Sequence, residues 1–384
     1  MKVGISATKI RGGQSGVGRY VIALGKALLE ERPDIKLHIF ALRGDRRLFD
    51  FAREQAEIIT VEEIYQPPLR NVWWHHRVLP REAERLGLDL IHTPSYRRMT
   101  HSSTVPCLTT IHDLVSFHDR QKSNFAQSLY SHLFALPLAR RQQKIIACSH
   151  KTAEDVERFL EIPSDSIEVI LKGINHDIYN PGDPATARAL LAKVRGLLRP
   201  FFLYVSRLDY PRRNHVRLIE AFELFKRRSK SRWQLVLGGD DGRGAGVIHT
   251  RAQESEFGED IHFFGYVADD DLPDLYRAAR AFVFPSLFDG FGQPPLEAMA
   301  CGCPVISSRA GSLDQVLGVA AVTIDPTDVN EIAAKLADIA TNDATRETLI
   351  KRGLANAARY DWRRCAHAVA EVYEEVLDAN GGNR

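Results

Sequence analysis

The 384-residue sequence predicts an α/β protein built as two doubly wound, Rossmann-like domains facing across a cleft. Three observations predict it. Short apolar runs alternate with amphipathic helical stretches, the pattern of parallel sheets covered by helices. A strand, a polar loop and a helix open the chain, and the same succession returns from residue 201. The length suits two domains of ordinary size.

In order, residues 2–7 read as a strand, followed by a glycine loop and a helix over 16–30. Residues 37–42, 90–92, 108–111, 144–148 and 166–170 supply further strands, with a helix over 151–160. Residues 180–200 contain Pro181, Gly182, Asp183 and Pro184, and this turn chemistry reads as a connection. The expected domains are therefore 1–185 and 186–384. In the second, strands are expected at 201–206, 234–238, 261–264, 281–285, 304–307 and 321–324, with a helix over 216–228. A last helix, 362–377, is expected to cross back to the first domain. Ligands of such sheets sit at the carboxyl ends of the strands, so a two-domain version binds in the cleft.

Composition narrows the function classes. An apolar fraction of 44% with 26% charged residues is that of a soluble globular chain. No apolar run approaches the ~18 residues of a membrane span. The opening MKVGISATKI lacks an apolar signal region, which predicts a cytoplasmic protein. The five cysteines read as packed free thiols; Cys301 and Cys303 flank one glycine, too tight for a zinc pair. No metal or cofactor is expected. Residues 1–150 hold 22 Lys and Arg against 14 Asp and Glu, whereas the rest holds 29 against 35. A basic front half suits an anionic acceptor or the inner face of an anionic membrane, and is too diffuse for nucleic acid.

The block with the most chemistry is SLFDGFGQPPLEAMACGC, residues 286–303. Gly290 and Gly292, either side of Phe291, allow a tight turn and close approach to a ligand. Pro294 and Pro295 fit the first turn of a helix, which is expected to hold Glu297 as well. A helix start attracts phosphate, and an acid there accepts hydrogen bonds from ribose hydroxyls. Asp289, on the loop before it, is placed to hold sugar hydroxyls.

This block resembles the signature of the family 4 retaining glycosyltransferases of GT-B fold, in which two acids are separated by seven residues. The family usually has Glu where this chain has Asp289. The resemblance covers most of the chain. YVSRLDYPRRNHVRLIEAF (204–222) is similar to the strand and loop that give an Arg and a Lys to the donor diphosphate, here Arg207 and Arg213. Arg is a sound diphosphate partner because its planar fork gives two hydrogen bonds. RGGQSGVGRYVIAL, with Gly13 and Gly16, resembles the glycine loop set against the donor phosphates. It lacks the dinucleotide fingerprint, since its glycine order is G-x-x-G-x-G. TIHDLVSFH (110–118) resembles the loop whose histidine, here His112, lies near the transferred sugar. A capped strand end is the structural alternative. Asp113 and His118, with Asp119 beside it, are weaker candidates for acceptor contact. FFGYVADDDLPDLYRAA (263–279) resembles the region that holds the nucleobase through the backbone around Tyr266 and Val267.

The resemblance implies a metal-independent retaining transferase that moves a hexose from a nucleotide diphosphate sugar to a glycan or lipid-linked acceptor. GVGRY (16–20) and RLDYPRRNH (207–215) look most like bacterial enzymes of surface-polysaccharide assembly, many of them mannosyltransferases, which implies GDP-mannose. A sugar-nucleotide epimerase or hydrolase on the same fold, and a non-catalytic sugar-nucleotide-binding subunit, are the competing readings. One stretch stays open: LRNVWWHHRVLPREAERL (69–86) suits a helix beside the acceptor cleft, with Trp73 and Trp74, or one lying on lipid.

Overall fold

The computed structural model describes residues 1–10, 12–102, 104–118 and 135–381, so Asp119 lies outside the described residues. The chain divides into two compact units, one of Met1–Gly173 with the chain from Asp361 onward, the other of Ile174–Tyr360. Each is built on a parallel sheet.

In the first unit the strands are β1 Lys2–Ser6, β2 Lys36–Leu42, β3 Ala56–Val61, β4 Leu90–Thr93, β5 Cys107–Ile111, β6 Lys144–Ala147 and β7 Ile167–Val169. Among the described residues they lie in the order β3-β2-β1-β4-β5-β6-β7. In the second unit the strands are β8 Phe201–Val205, β9 Gln234–Gly238, β10 Ile261–Gly265, β11 Ala281–Phe284, β12 Val305–Ser308 and β13 Val322–Ile324. Their order is β10-β9-β8-β11-β12-β13. Central strands such as β5 and β11 are buried along their whole length, as sheets covered on both faces require. In each sheet the winding reverses beside the unit's first strand, at β1/β4 and at β8/β11. A crevice opens outside the carboxyl ends of the strands at such a point.

Three features depart from the sequence reading. β3 was not expected: AEIITV is an edge strand, half-buried, and its Glu57 and Thr60 hide the apolar alternation. Residues 184–195 are not a linker but the helix Pro184–Arg195. Asp183 caps it, accepting from the amides of Ala185 at 3.0 Å and Thr186 at 3.1 Å, and Pro184 takes the first helical position. The same residue types that signal a turn therefore signal a helix start. Consequently the division falls at Gly173/Ile174 rather than near residue 185.

The last helix, Trp362–Gly381, belongs to the first unit. Its Ala366, Val369, Ala370 and Tyr373 join Val3, Ile5, Leu24 and Leu28 in one core. At roughly 1.5–3 kcal/mol for each large apolar side chain buried, the helix is integral to this unit. Gly173 makes the crossing possible, because a Cβ there would lie 2.2 Å from the Trp362 amide nitrogen.

Candidate functional site

The reversal point of the second sheet gathers Arg207, Arg213 and Asp289 of the residues read from the sequence. The loop after β8 carries Arg207 to Asn214, and the loop after β11 carries Pro285 to Gly292. Arg213 and Asp289 meet here: Nη1 donates to Oδ2 at 2.5 Å, in a pair whose side chains are 19% and 12% exposed. The same Nη1 reaches Ser286 Oγ at 3.3 Å. Phe284 lies under the guanidinium, with its ring centroid 5.8 Å from Cζ. The Nε of Arg213 is buried and without a hydrogen-bond partner.

Asp289 has a second set of partners. Its Oδ1 accepts from the amides of Phe291 at 3.1 Å and Gly292 at 2.7 Å, which closes the turn. Gly292 supplies the turn with a φ of 88°, in the left-handed region. Behind it, Gly311 presses on the Asp289 carbonyl, where a Cβ would come within 2.1 Å of the oxygen. The Ser312 amide donates to that oxygen at 3.1 Å. Burial alone would raise the Asp289 carboxyl, but the charge of Arg213, its hydrogen bond and the two turn amides hold it below the usual carboxylate range. The pair is thus ionised and locked on both sides. The sequence reading aimed Asp289 at the sugar and Arg213 at the diphosphate, whereas the structure joins them to each other.

Arg207 differs from Arg213. It is exposed, and its guanidinium makes no hydrogen bond or ion pair among the described residues. Glu297 is a correction. It is the fifth residue of the helix Gln293–Ala300, whose first turn carries no acid, so it sits one turn deeper than expected. It is also buried, at 3% exposure, with the Tyr276 hydroxyl donating to it at 3.5 Å. Tyr266 and Val267 follow β10, the former 42% exposed and the latter buried.

In the first unit, Gly13 lies in the loop after β1 with a φ of 79°. Gly16 starts the helix Gly16–Glu31, whose cap Ser15 accepts from the Gly18 amide at 3.0 Å. His112 follows β5, with Nδ1 3.1 Å from Cys148 Sγ. Burial, and then the nearby Lys172 cation, push its imidazole well below the usual histidine range. Asp113 caps the next short helix, accepting from the Val115 amide at 3.2 Å. His118 Nε2 is 2.6 Å from Asp155 Oδ2. Both weaker acceptor candidates are therefore engaged in local structure. Trp74 is buried against Phe40, whereas Trp73 is 53% exposed and stacks on Tyr65 at 6.1 Å.

Sequence reasoning passed over two residues at the site. Asn214 stands in the left-handed region at φ 61° and donates to the carbonyls of Pro285 at 2.9 Å and Pro326 at 2.7 Å. It ties the loops after β8, β11 and β13 together. The signal was there, since Asn is the residue that tolerates that conformation at a helix start. Ser286 gave no such signal. A cavity of about 810 Å³ lies elsewhere, beside β10, lined by Arg199, His249, Phe257 and Phe263; Phe263, at the start of the 263–279 stretch, borders it, whereas Arg207, Arg213, Asp289 and Glu297 do not. Among the described residues no three His, Cys, Asp or Glu gather as a metal ion would require. No helix among them is long and apolar enough to cross a membrane.

Comparison with known proteins defines the class. The family described as Glycosyl transferases group 1 matches residues 194–355, and Glycosyltransferase Family 4 matches residues 14–178. The chain belongs to the family 4, group 1 glycosyltransferases. It is 29% identical to the O-antigen chain mannosyltransferase B of Escherichia coli, over 97% of this chain and 100% of that protein. It is 26% identical to the serotype-specific mannosyltransferase WbdA of the same organism over 98% of this chain, which spans 47% of WbdA. Among solved structures it resembles sucrose-phosphate synthase from Thermosynechococcus elongatus, with a TM-score of 0.81 at 23% identity over 99% and 100% of the two chains. HepE of Anabaena, in complex with UDP and glucose, superposes with a TM-score of 0.78 at 20% identity over 98% and 100%. These two establish the two-domain GT-B fold.

Proposed function

We propose that this glycosyltransferase moves a mannosyl group from GDP-mannose to a glycan or lipid-linked acceptor in bacterial polysaccharide assembly, with retention and without a metal ion. The observation that carries the reading is the cationic loop after β8 at the reversal point of the second sheet. There an exposed Arg207 and a half-buried, anchored Arg213 take the role of a divalent ion toward a diphosphate. Mannose as the sugar is supported by the names of the two Escherichia coli relatives.

In this account Arg207 binds the diphosphate and neutralises it as it leaves. Arg213 presents its remaining N–H groups from a fixed position, because Asp289 and Ser286 hold Nη1. Asp289 keeps the turn closed, and the lone pairs left to it receive donor hydroxyls. Glu297 accepts from the ribose, and the backbone at Tyr266 and Val267 holds the base. His112 and the glycine loop with Gly13 and Gly16 serve the transferred sugar and the phosphates. The bond from the anomeric carbon to the diphosphate oxygen breaks, and the acceptor oxygen bonds to the same face. The acceptor proton passes to the departing diphosphate.

The protein is also proposed to work at an anionic membrane surface. Ile64, Leu69 and Trp73 are 56%, 85% and 53% exposed on one stretch of the first unit. From residue 64 to 81 the chain holds Arg70, Arg77 and Arg81 and no acid. Apolar side chains with a basic rim are the composition that docks on anionic lipid. The test of the catalytic reading is a donor panel with a lipid-linked acceptor extract: acceptor-dependent GDP release supports it. Fast release without acceptor would favour a hydrolase.

A further inference from the structure

We infer that Cys148 sets the tautomer of His112 and is a positioning residue for glycosyl transfer. The inference rests on the reading that His112 serves the reaction, and deepens it. β5 and β6 are neighbours in register, with Ile111 opposite Ala147. The next residue of each strand therefore leaves the sheet at the same place, and His112 Nδ1 meets Cys148 Sγ at 3.1 Å.

Both groups are neutral at ordinary pH. Burial pushes the Cys148 thiol up to about 11, and burial with the Lys172 cation keeps the imidazole unprotonated. Between a neutral thiol and a neutral imidazole, the ring nitrogen is the strong acceptor and sulfur the weak one. The S–H therefore donates to Nδ1, and the ring proton resides on Nε2. That nitrogen is buried. The Pro94 carbonyl, an acceptor only, is hydrogen-bonded to the ring and so favours a ring N–H.

The ring is also held in place. The Tyr20 ring meets it edge-on, centroids 4.7 Å apart and planes at 75°. Tyr20 is in turn fixed through its hydroxyl, 3.2 Å from Thr110 Oγ1, and Thr110 by His92 at 2.7 Å. The product is a rigid, neutral imidazole whose one N–H lies on the side of the ring away from the thiol. Such a group is a hydrogen-bond donor to an oxygen of the donor sugar or its phosphate, and a poor general base. A thiol two strands' ends away from the chemistry would thereby decide which proton His112 offers.

The experiment uses Cys148→Ala, which removes the donor, and Cys148→Ser, which keeps one. Protein labelled with ¹⁵N in histidine, with His112 assigned from His112→Gln, reports the tautomer directly. The wild type is expected to show protonated Nε2 and an accepting Nδ1, with mixed tautomers in Cys148→Ala. The Ala variant should lose about tenfold in kcat with KM for the nucleotide sugar little changed, and the Ser variant should recover most of it. A wild-type signal with the proton on Nδ1, or an Ala variant with wild-type kcat, overturns the inference. Full transfer by His112→Gln would instead remove the reading of His112 itself, while leaving the tautomer measurement to stand.

Discussion

Arg213 and Asp289, 76 residues apart in the chain, form a 2.5 Å ion pair in which one carboxylate oxygen holds the guanidinium and the other caps the turn that opens the helix Gln293–Ala300. The pair is mostly enclosed, so the Coulomb attraction is little screened, and loss of one partner leaves an uncompensated charge. The two functions of Asp289 can be separated by substitution. Asp289→Asn keeps an oxygen for the amides of Phe291 and Gly292 but removes the charge opposite Arg213. It is expected to fold and to lose roughly a hundredfold in transfer rate. Asp289→Ala loses both and should also destabilise the protein by about 3 kcal/mol. Paired thermal melts and rate measurements check this; equal rates for the two variants and the wild type would refute it.

The two arginines should respond differently. Arg207→Ala touches an exposed, unpaired cation, so stability should be unchanged while KM for the nucleotide sugar rises about tenfold. Arg213→Lys leaves a single ammonium to serve Ser286, Asp289 and the diphosphate, without the further N–H groups that the guanidinium presents once Nη1 is held, and should lower kcat more than it raises KM. Steady-state kinetics with a fixed acceptor distinguish the outcomes.

Buried histidines predict sensitivity to mild acid. Burial lowers His75, His92 and His215 to about 3, and His112 well below 6.5. The unfolded imidazole titrates near 6.5, so below that pH the unfolded chain binds more protons than the folded one. Stability is therefore full above about pH 6.5 and falls on acidification, by up to about 1.4 kcal/mol per pH unit for each histidine. Melting temperature from pH 8 to pH 5 measures this. A flat profile would contradict it.

The returning helix is tied to the first unit by a buried polar contact as well as by its apolar face. Tyr373 Oη lies 2.7 Å from His92 Nδ1, whose other nitrogen is 2.7 Å from Thr110 Oγ1. Tyr373→Phe leaves that nitrogen unpaired in the core and should cost about 1–3 kcal/mol. Chemical denaturation at neutral pH gives the value.

For the membrane surface, Leu69→Ser with Trp73→Ser should abolish sedimentation with vesicles containing anionic phosphatidylglycerol, and leave transfer to a soluble acceptor unchanged. Wild-type protein that fails to bind such vesicles would remove the proposal.

Much of this was legible in the chain, for physical reasons. Fully buried parallel strands are short apolar runs, and β8, β9 and β11 declare themselves that way. Arg207 and Asp289 stand out because charge placed just beyond such strands lies at a ligand crevice. What was hidden is tertiary. No local pattern says that Arg213 and Asp289 satisfy each other, that Ser286 shares the guanidinium, or that Glu297 falls one turn deeper. Asp183 and Pro184 show the local version of the problem, since a capped helix start and a linker use the same residues.

The central claim is an acceptor-dependent mannosyl transfer from GDP-mannose by the site at β8 and β11. Its most direct measurement is mass-spectrometric detection of product with GDP-mannose, a lipid-linked acceptor extract and EDTA present, for wild type and Asp289→Asn. The account predicts an acceptor one hexose heavier, an equal amount of GDP, and near-complete loss of both in the variant. GDP-mannose left intact in the presence of acceptor while another nucleotide sugar is consumed, or transfer undiminished in Asp289→Asn, would contradict it.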